Sequence, residues 1–290
     1  MPRLFCLGLG YTALALVRRL KAAGWEVGGT CREADKAAAL RAEGIDALAA
    51  PTDLDRTIAD ATHLLASVPP DAAGDPALAV WGPAIARHPG LAWAGYLSTT
   101  GVYGDRDGGW VDENSARVPT GERGQRRVEA EAAWAALLPG VPVHLFRLAG
   151  IYGPGRSALD TVRAGRAQRV VKRDQVFSRV HVDDIAQVLA ASIARPRPGA
   201  IYNVCDDNPA PPDEVIAYAC TLLGIEPPPE VPFDQAELSE MARSFYADNK
   251  RVSNALIKAE LGVRLAYPDY RVGLRALVWP PRHRPEPMPS

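Results

Sequence analysis

The sequence contains only four cysteines, and no two of them form a CxxC pair. They are scattered along the chain, at Cys6, Cys31, Cys205 and Cys220. This scatter fits neither a disulfide framework nor a zinc site, so we expect no bound metal. Cys6 and Cys220 lie in apolar stretches and are predicted to be buried thiols, which suits a reducing cytoplasm.

An excess of charge of either sign is also missing. The 33 Lys and Arg residues nearly balance the 34 Asp and Glu residues, which leaves a formal net charge of -1. This balance argues against a nucleic acid or a membrane surface as a partner. The N-terminus lacks a charged-then-apolar leader, and no apolar run approaches the length of a membrane span. We therefore expect a soluble, cytoplasmic protein.

The most informative segment is a glycine-rich turn near the N-terminus, between a short apolar run and a helical pattern of apolar residues. Gly8 lets the chain turn sharply out of a strand, Gly10 lets the backbone approach a pyrophosphate, and Ala13 lets the helix pack tightly on the sheet. The helix begins near Tyr11 and Thr12, where free N–H groups would hold the phosphates of a dinucleotide. A purely structural turn is the alternative, but the strands on both sides favour nucleotide binding.

The second predicted strand ends in Arg32 and not in an acidic residue. A carboxylate here would accept hydrogen bonds from the ribose 2'-OH of the adenosine and repel a 2'-phosphate, whereas an arginine binds that phosphate. Arg32 therefore favours NADP over NAD. The alternative is that Arg32 is a solvated surface charge.

Predicted strands alternate with predicted helices, which is typical of a parallel sheet covered on both faces. We expect an α/β fold, a doubly wound parallel Rossmann sheet with a smaller C-terminal substrate lobe. The Rossmann domain takes residues 1–155 plus about 180–207, the lobe residues 156–179 plus about 208–278, and a disordered tail residues 279–290. Strands are expected at residues 4–7, 25–30, 45–49, 62–68, 92–98 and 141–148, with a returning strand at 200–204.

The segment Ser98-Thr99-Thr100-Gly101-Val102-Tyr103-Gly104 follows the fifth strand. With it the chain resembles the extended short-chain dehydrogenase/reductases of the NAD(P)-dependent epimerase/dehydratase type, whose fifth strand ends in a Ser/Thr run and a Val-Tyr-Gly. The resemblance covers residues 1 to about 225 in the right order. It continues through residues 112–113, 146–155, 178–186 and 201–206.

The resemblance fails at one position that matters for chemistry. The family has a Tyr, and a Lys four residues later, on the helix after the fifth strand, where this sequence has Arg123 and Arg127. An arginine stays protonated, so Arg123 cannot exchange a proton at neutral pH. Arg127 could still donate hydrogen bonds to a ribose or phosphate. The chain therefore looks like an atypical subgroup that keeps the nucleotide-binding fold and has a degraded catalytic tetrad.

Four residues remain as catalytic candidates, each with a structural alternative. Thr99 stands where the family has its catalytic Ser/Thr, or its hydroxyl satisfies the backbone at the strand end. The phenols of Tyr103 and Tyr152 could reach a substrate, or they pack under the loops with the hydroxyl bonded to backbone. His181 could be an acid/base near neutral pH, or it caps the helix at residues 182–194.

The resemblance also supplies further binding candidates. Asp53 matches the family's acidic residue near the adenine, although it could equally be a helix N-cap. Val68 and Ser98, at the ends of the fourth and fifth strands, complete the predicted cofactor-binding set together with Arg127.

Basic residues gather where the substrate lobe should begin. Guanidinium groups bind phosphate and carboxylate, so an anionic substrate such as a sugar nucleotide is expected, the alternative being a solvated surface. We take Thr100, Arg156 and Arg179 as substrate-binding candidates. The basic set is Arg156, Arg163, Arg166, Arg169, Lys172, Arg173 and Arg179.

Two functions follow from this reading. The first is an NADP-dependent oxidoreductase or epimerase/dehydratase-like enzyme that acts on a small, polar, anionic substrate. The second is a non-catalytic NADP-binding redox sensor or partner-binding module that has lost the Tyr-Lys pair. Because the helix at residues 122–138 carries no long apolar stripe, a monomer or a homodimer is expected.

Overall fold

A computed structural model describes residues 1–49 and 54–279 of the chain. Asp53 and the predicted tail from residue 280 onward lie outside these residues. The elements up to the middle of the chain are β1 (Arg3–Leu7), α1 (Tyr11–Ala22), β2 (Glu26–Cys31), α2 (Ala34–Ala42), β3 (Asp46–Ala49), α3 (Asp55–Ala59), β4 (His63–Ala66), α4 (Pro76–Ala86), β5 (Trp93–Thr99), a 3-10 turn (Thr100–Tyr103), β6 (Trp110–Val111) and α5 (Glu122–Ala135).

Of the strands in the remaining part of the described chain, two belong to the seven-stranded sheet and the others form two-stranded sheets. The remaining elements are β7 (Val143–Leu148), β8 (Gly150–Tyr152), α6 (Ala158–Arg163), β9 (Arg169–Val171), β10 (Arg179–His181), α7 (Val182–Ala194), β11 (Ile201–Val204), α8 (Pro212–Leu223), β12 (Glu230–Pro232), α9 (Glu240–Phe245), β13 (Arg251–Val252), α10 (Ala255–Leu261) and α11 (Tyr270–Val278).

A seven-stranded sheet in the order β11-β7-β5-β4-β1-β2-β3 forms the centre of the protein. All of its neighbouring strands pair in parallel. Helices α1 and α7 pack together on one face, while Ile58, Trp81 and Trp134 bring α3, α4 and α5 to a core on the other face. The predicted doubly wound α/β fold is confirmed, and the returning strand predicted at residues 200–204 is β11.

The strand order places one crevice at a defined point of the sheet. From β1 the chain runs outward through β2 and β3 and then returns to β4 on the other side of β1. Ligands of open α/β sheets bind where the strand order reverses, at the carboxyl ends of the strands. In this protein that point lies between the ends of β1 and β4, where the glycine turn begins.

The C-terminal segments have hydrophobic cores of their own. One is built around Leu159, Ala219 and Tyr270, from α6, α8 and α11. A smaller one surrounds Val170 and Tyr246. These cores are separate from the two that cover the sheet, in line with a predicted second lobe, whose boundaries stay a prediction. Within the described part of the chain, no helix combines the length and the apolar character needed to cross a bilayer.

Candidate functional site

The turn after β1 depends on the absence of a side chain at Gly8. Its φ is +99°, and a Cβ would lie 2.9 Å from Val68 Cγ2. Its N–H donates to Thr30 Oγ1 at 2.9 Å, and its carbonyl accepts from Ser67 Oγ at 2.5 Å. Neighbouring strand ends thus hold the turn in place, and only glycine fits this backbone conformation without strain.

The helix that follows begins without a side-chain cap. Gly10 is the N-cap in an extended conformation, and Leu14 makes the first intrahelical hydrogen bond, to the Gly10 carbonyl at 2.9 Å. The N–H groups of residues 11–13 therefore have no acceptor within the helix. A Cβ at Gly10 would meet only Ser67 Oγ, at 4.0 Å, so the space beside Gly10, at the helix start, is open. This open, positively polarised helix start fits the phosphates of a dinucleotide.

Arg32 lies next to this turn. The Leu9 N–H donates to the Thr30 carbonyl at 2.6 Å, which joins the end of β2 to the glycine turn two residues before Arg32. The Arg32 side chain is exposed and, within residues 1–49 and 54–279, makes no hydrogen bond or ion pair. Its guanidinium is therefore available for a phosphate at the β2 end of the crevice.

The other predicted cofactor residues are placed differently from one another. Val68 lies directly against the glycine turn. Ser98 is buried and donates from Oγ to Glu131 Oε1 at 2.6 Å, away from the turn. Arg127 donates from Nη1 to the Leu97 carbonyl at 2.6 Å and is thereby fixed on β5. Val68 therefore lies at the crevice. The side chains of Ser98 and Arg127 are instead hydrogen-bonded to other parts of the protein.

Thr99, the last residue of β5, caps the 3-10 turn that follows. Its Oγ1 accepts a hydrogen bond from the Gly101 N–H at 3.1 Å, and Thr100 beside it is buried. The first turn of α5 packs on this segment, because a Cβ at Gly124 would lie 3.0 Å from the Gly101 carbonyl oxygen. The Thr99 hydroxyl makes the contact that a strand end requires, and its own hydrogen remains available for donation.

Tyr103 is fully buried, and its hydroxyl has two partners. It donates to Asn203 Oδ1 at 2.7 Å and accepts from Arg147 Nη1 at 2.9 Å. Burial raises the pKa of this phenol, against the opposing effect of the nearby Arg147 charge. The Tyr103 hydroxyl is thus part of a polar network inside the protein.

The centre of this network is an ion pair that was not predicted from the sequence. Arg147 contacts Glu131 with both Nε and Nη2, and Arg117 adds a contact to the same carboxylate at 3.2 Å. The signal for it was present, because Arg147 lies in the predicted strand between two apolar residues, Phe146 and Leu148. A charge in a buried strand requires an opposite charge nearby.

Tyr152 packs inside the C-terminal core. Its hydroxyl donates to the Asp269 carbonyl at 3.4 Å, and a side chain at Gly273 would overlap the ring. Burial raises the pKa of this phenol far above its ordinary value. The ring therefore lies under the loops, which was the structural alternative for this residue.

His181 caps α7 from a buried position. Its Nδ1 accepts from the Asp183 N–H at 3.2 Å, so the ring proton is on Nε2, which is buried without a partner among the described residues. The Tyr267 ring lies 3.9 Å away between centroids, and the Tyr152 ring 5.2 Å. Burial lowers the pKa of His181, with Asp183 opposing, so the neutral imidazole is favoured.

Tyr11 and Arg156 lie together at the start of α1. The Tyr11 hydroxyl donates to the Pro154 carbonyl at 3.0 Å, and the Arg156 guanidinium carbon lies 5.8 Å from the Tyr11 ring centroid. The loop after β8 thus covers one side of the open helix start. Arg156 is exposed there, where an anion bound at the helix start would meet it.

Arg179 is committed to the protein interior. Its Nη1 donates to the Phe177 and Ala210 carbonyls, at 2.8 and 2.9 Å. It lies near the buried Asp206, whose pKa burial raises to about 8. Of the three predicted substrate-binding residues, Arg156 faces the crevice, whereas Thr100 and Arg179 are buried or bonded to backbone.

The remaining basic residues after position 156 are partly neutralised. Arg169 pairs with Glu230 at 2.7 Å, and Arg173 with Asp174 at 3.4 Å. Their charges are thereby balanced locally. If the substrate is anionic, it must be bound by other arginines, such as the exposed Arg156.

Comparisons with known proteins agree with the fold described above. No model of a known protein family matches the chain. The chain is 30% identical to Protein YeeZ of Escherichia coli over 294 residues, which covers 93% of the chain and 97% of that protein. It is similar to a conserved protein of unknown function from Silicibacter pomeroyi, with 55% identity, a TM-score of 0.89 and coverage of 96% and 98%. A structure described as a putative NAD-dependent epimerase/dehydratase from Methylobacillus flagellatus gives 28% identity, a TM-score of 0.68 and coverage of 96% and 97%.

More distant structures share the fold alone. A human epimerase family protein in complex with NADPH has 17% identity, a TM-score of 0.72 and coverage of 95% and 99%. UDP-glucuronic acid 4-epimerase from Bacillus cereus in complex with NAD has 15% identity, a TM-score of 0.75 and coverage of 96% of both chains. Of these two proteins of the same fold, one thus binds NADPH and the other NAD.

Proposed function

The chain belongs to the NAD(P)-dependent epimerase/dehydratase family of short-chain dehydrogenase/reductases, and from this premise we propose that it is an NADP-dependent oxidoreductase or epimerase-like enzyme acting on a small, anionic substrate such as a sugar nucleotide. A cytoplasmic location belongs to the same proposal, since all four cysteines are buried, unpaired thiols. A monomer or homodimer remains the predicted assembly.

The observation that carries the proposal is the uncapped start of α1 beside Gly10. Open N–H groups at residues 11–13, with the open space in front of Gly10, suit a pyrophosphate. Arg32, exposed and without a partner among the described residues, suits the 2'-phosphate that distinguishes NADP from NAD. When bound, the nicotinamide supplies hydride transfer.

Thr99 is the residue to which we assign substrate orientation. Its Oγ1 already accepts from the Gly101 N–H, so the hydroxyl hydrogen is left to be donated to a substrate oxygen. Arg156 at the open helix start would bind an anionic group.

A second candidate function is favoured by the burial of the other proton carriers. Tyr103, Tyr152 and His181 are at most 7% exposed, and the hydroxyls of both tyrosines are bonded inside the protein. A general acid or base must reach the proton that it transfers. A non-catalytic NADP-binding sensor or partner-binding module is therefore the alternative.

The first experiment is a fluorescence titration of the purified protein with NADPH and, separately, with NADH. We expect NADPH to bind more tightly, and Arg32→Ala to weaken NADPH binding about tenfold or more while leaving NADH unchanged. The matched control is Arg87→Ala, an exposed arginine just after α4 on the way to the start of β5, at the amino ends of the strands, which should change neither affinity. Failure of both cofactors to bind would refute the proposal.

Turnover separates the two candidate functions. NADPH oxidation by the wild-type protein with a panel of sugar nucleotides, abolished in Thr99→Ala, supports the enzyme. A silent wild-type protein, combined with activity in an Arg123→Tyr, Arg127→Lys double variant, supports the binding module.

A further inference from the structure

Within the described part of the chain, Arg123 at the start of α5 makes no ion pair, whereas the charges beside it are paired. Its neighbours on α5 are engaged: Arg126 pairs with Glu122 at 2.7 Å, and Arg127 is bonded to β5. Arg123 is exposed, and in residues 1–49 and 54–279 no carboxylate or hydrogen-bond acceptor contacts its guanidinium. Its five N–H donors are therefore free to bind a ligand.

The neighbour that Arg123 does have is an exposed aromatic ring from another part of the chain. The Arg123 guanidinium carbon lies 5.8 Å from the ring centroid of Phe245, at the end of α9. Phe245 is 56% exposed, and Met241 is 60% exposed four residues earlier, on the same face of that helix. An arginine above an aromatic ring keeps its N–H donors directed sideways, where they can bind an anion.

This pair lies beside the turn that carries Thr99. Gly124, the residue after Arg123, packs on the Gly101 carbonyl, and the Gly101 N–H is bonded to Thr99. The Thr120 hydroxyl donates to Asp248, which joins the loop before α5 to the segment after α9. The loop before α5, which leads to Arg123, and the segment after α9, which follows Phe245, are thus joined directly.

The charges around Arg123 and Phe245 favour the binding of an anion. Two carboxylates on these segments are already paired, Glu122 with Arg126 and Asp248 with Lys250, each at 2.7 Å. The charge of Arg123 is left over beside an apolar surface. A ligand that suits both features has a carboxylate or phosphate and a flat apolar group.

We propose that Arg123 and Phe245 bind the substrate between α5 and α9, with the guanidinium on its carboxylate or phosphate and its apolar part on Phe245 and Met241. This inference rests on the proposed function, since the pair adjoins the Thr99 turn. The position that holds a proton-transferring tyrosine in the resembled family would then serve substrate recognition, and substrates with a negative charge and a flat ring are selected.

The test uses the NADPH-loaded full-length protein and three small probes, benzoate, phenyl phosphate and uridine 5'-monophosphate, followed by ligand-observed NMR and calorimetry. At least one should bind, and its neutral counterpart, benzamide, phenol or uridine, should bind at least about tenfold more weakly. Arg123→Ala and Phe245→Ala should each weaken binding about tenfold. Arg87→Ala, an exposed arginine just after α4, should leave probe binding unchanged.

The outcomes distinguish this inference from the proposed function. If NADPH itself does not bind, both are refuted. If NADPH binds normally but no anionic probe does, or if Arg123→Ala binds the probes as the wild type does, only the Arg123–Phe245 site is refuted. Unchanged NADPH affinity in both variants, together with lost probe binding, supports it.

Discussion

Arg147 and Glu131 form a doubly hydrogen-bonded ion pair inside the protein, with Nε 3.0 Å from Oε1 and Nη2 2.8 Å from Oε2. The two side chains are 2% and 0% exposed. Ser98 and Tyr103 attach to this pair, so that the ends of β5 and β7 and the middle of α5 are linked by one polar network. The turn that carries Thr99 is thereby supported from beneath.

Removing one charge of this pair should destabilise the protein strongly. Glu131→Gln leaves the Arg147 cation buried without full compensation, and we expect a loss of about 3–5 kcal/mol in the free energy of unfolding. Urea denaturation measures it. The control is Glu43→Gln, which breaks a surface pair with Arg18 and should change the free energy by less than about 1 kcal/mol.

Replacing both partners should recover much of that loss. A Glu131→Leu, Arg147→Met double variant leaves no buried unpaired charge, because the Arg117 side chain that also loses its partner is 40% exposed, so the variant should be more stable than Glu131→Gln. A Glu131→Gln protein as stable as the wild type would show that the ion pair contributes nothing.

Tyr103→Phe should affect stability and not binding. The change removes a hydroxyl that donates to Asn203 and accepts from Arg147, and leaving those buried groups without it should cost about 1–3 kcal/mol. NADPH affinity should stay within about twofold, because the hydroxyl faces the network. Urea denaturation measures the stability, and titration with NADPH measures the affinity. Unchanged stability with lost turnover would instead assign Tyr103 a catalytic role.

The buried histidines should make the protein less stable in acid. Burial lowers the pKa of His181 below 6.5 and that of His63 to about 4. The unfolded chain therefore takes up more protons than the folded one as the pH falls below 6.5. This contribution to stability is fully present above 6.5 and is lost as the pH falls through the folded pKa values.

His181→Asn isolates that effect, because asparagine also accepts a hydrogen bond at a helix start but does not titrate. The buried carboxyls of Asp184 and Asp206 have raised pKa values and act in the opposite sense, so the variant is compared with the wild type at each pH. The stability difference between the two should shift in favour of the variant between pH 6.5 and 5. A constant difference would contradict a buried neutral His181.

Local patterns explain which parts of the structure could be predicted from the sequence. The glycine turn and the helix at Val182–Ala194 were predicted because a strand, a turn and a cap lie within a few residues of one another. Ser98 was predicted to face the cofactor, yet it donates to Glu131, because side chains alternate along a strand and the resemblance does not specify the face.

The buried polar network could not be predicted from the sequence, for a different reason. It joins Ser98, Glu131, Arg147 and Asn203, which are brought together only by packing across β5, β7, β11 and α5. No local pattern reports such distances. The Arg123–Phe245 contact spans an even longer stretch of chain and became visible only with α9 in place.

The two glycines of the turn should respond differently to the same substitution. At Gly10 the backbone φ of -81° suits any residue, and a Cβ would lie in the open space in front of the helix start. Gly10→Ala should therefore fold like the wild type and bind NADPH about tenfold or more weakly, because the methyl group occupies the space of the pyrophosphate. At Gly8 the positive φ and the close Val68 side chain oppose any Cβ, so Gly8→Ala should lose about 1–3 kcal/mol of stability. Urea denaturation and NADPH titration of both variants separate the effects: if Gly10→Ala kept full NADPH affinity, the pyrophosphate would have to bind somewhere other than the start of α1.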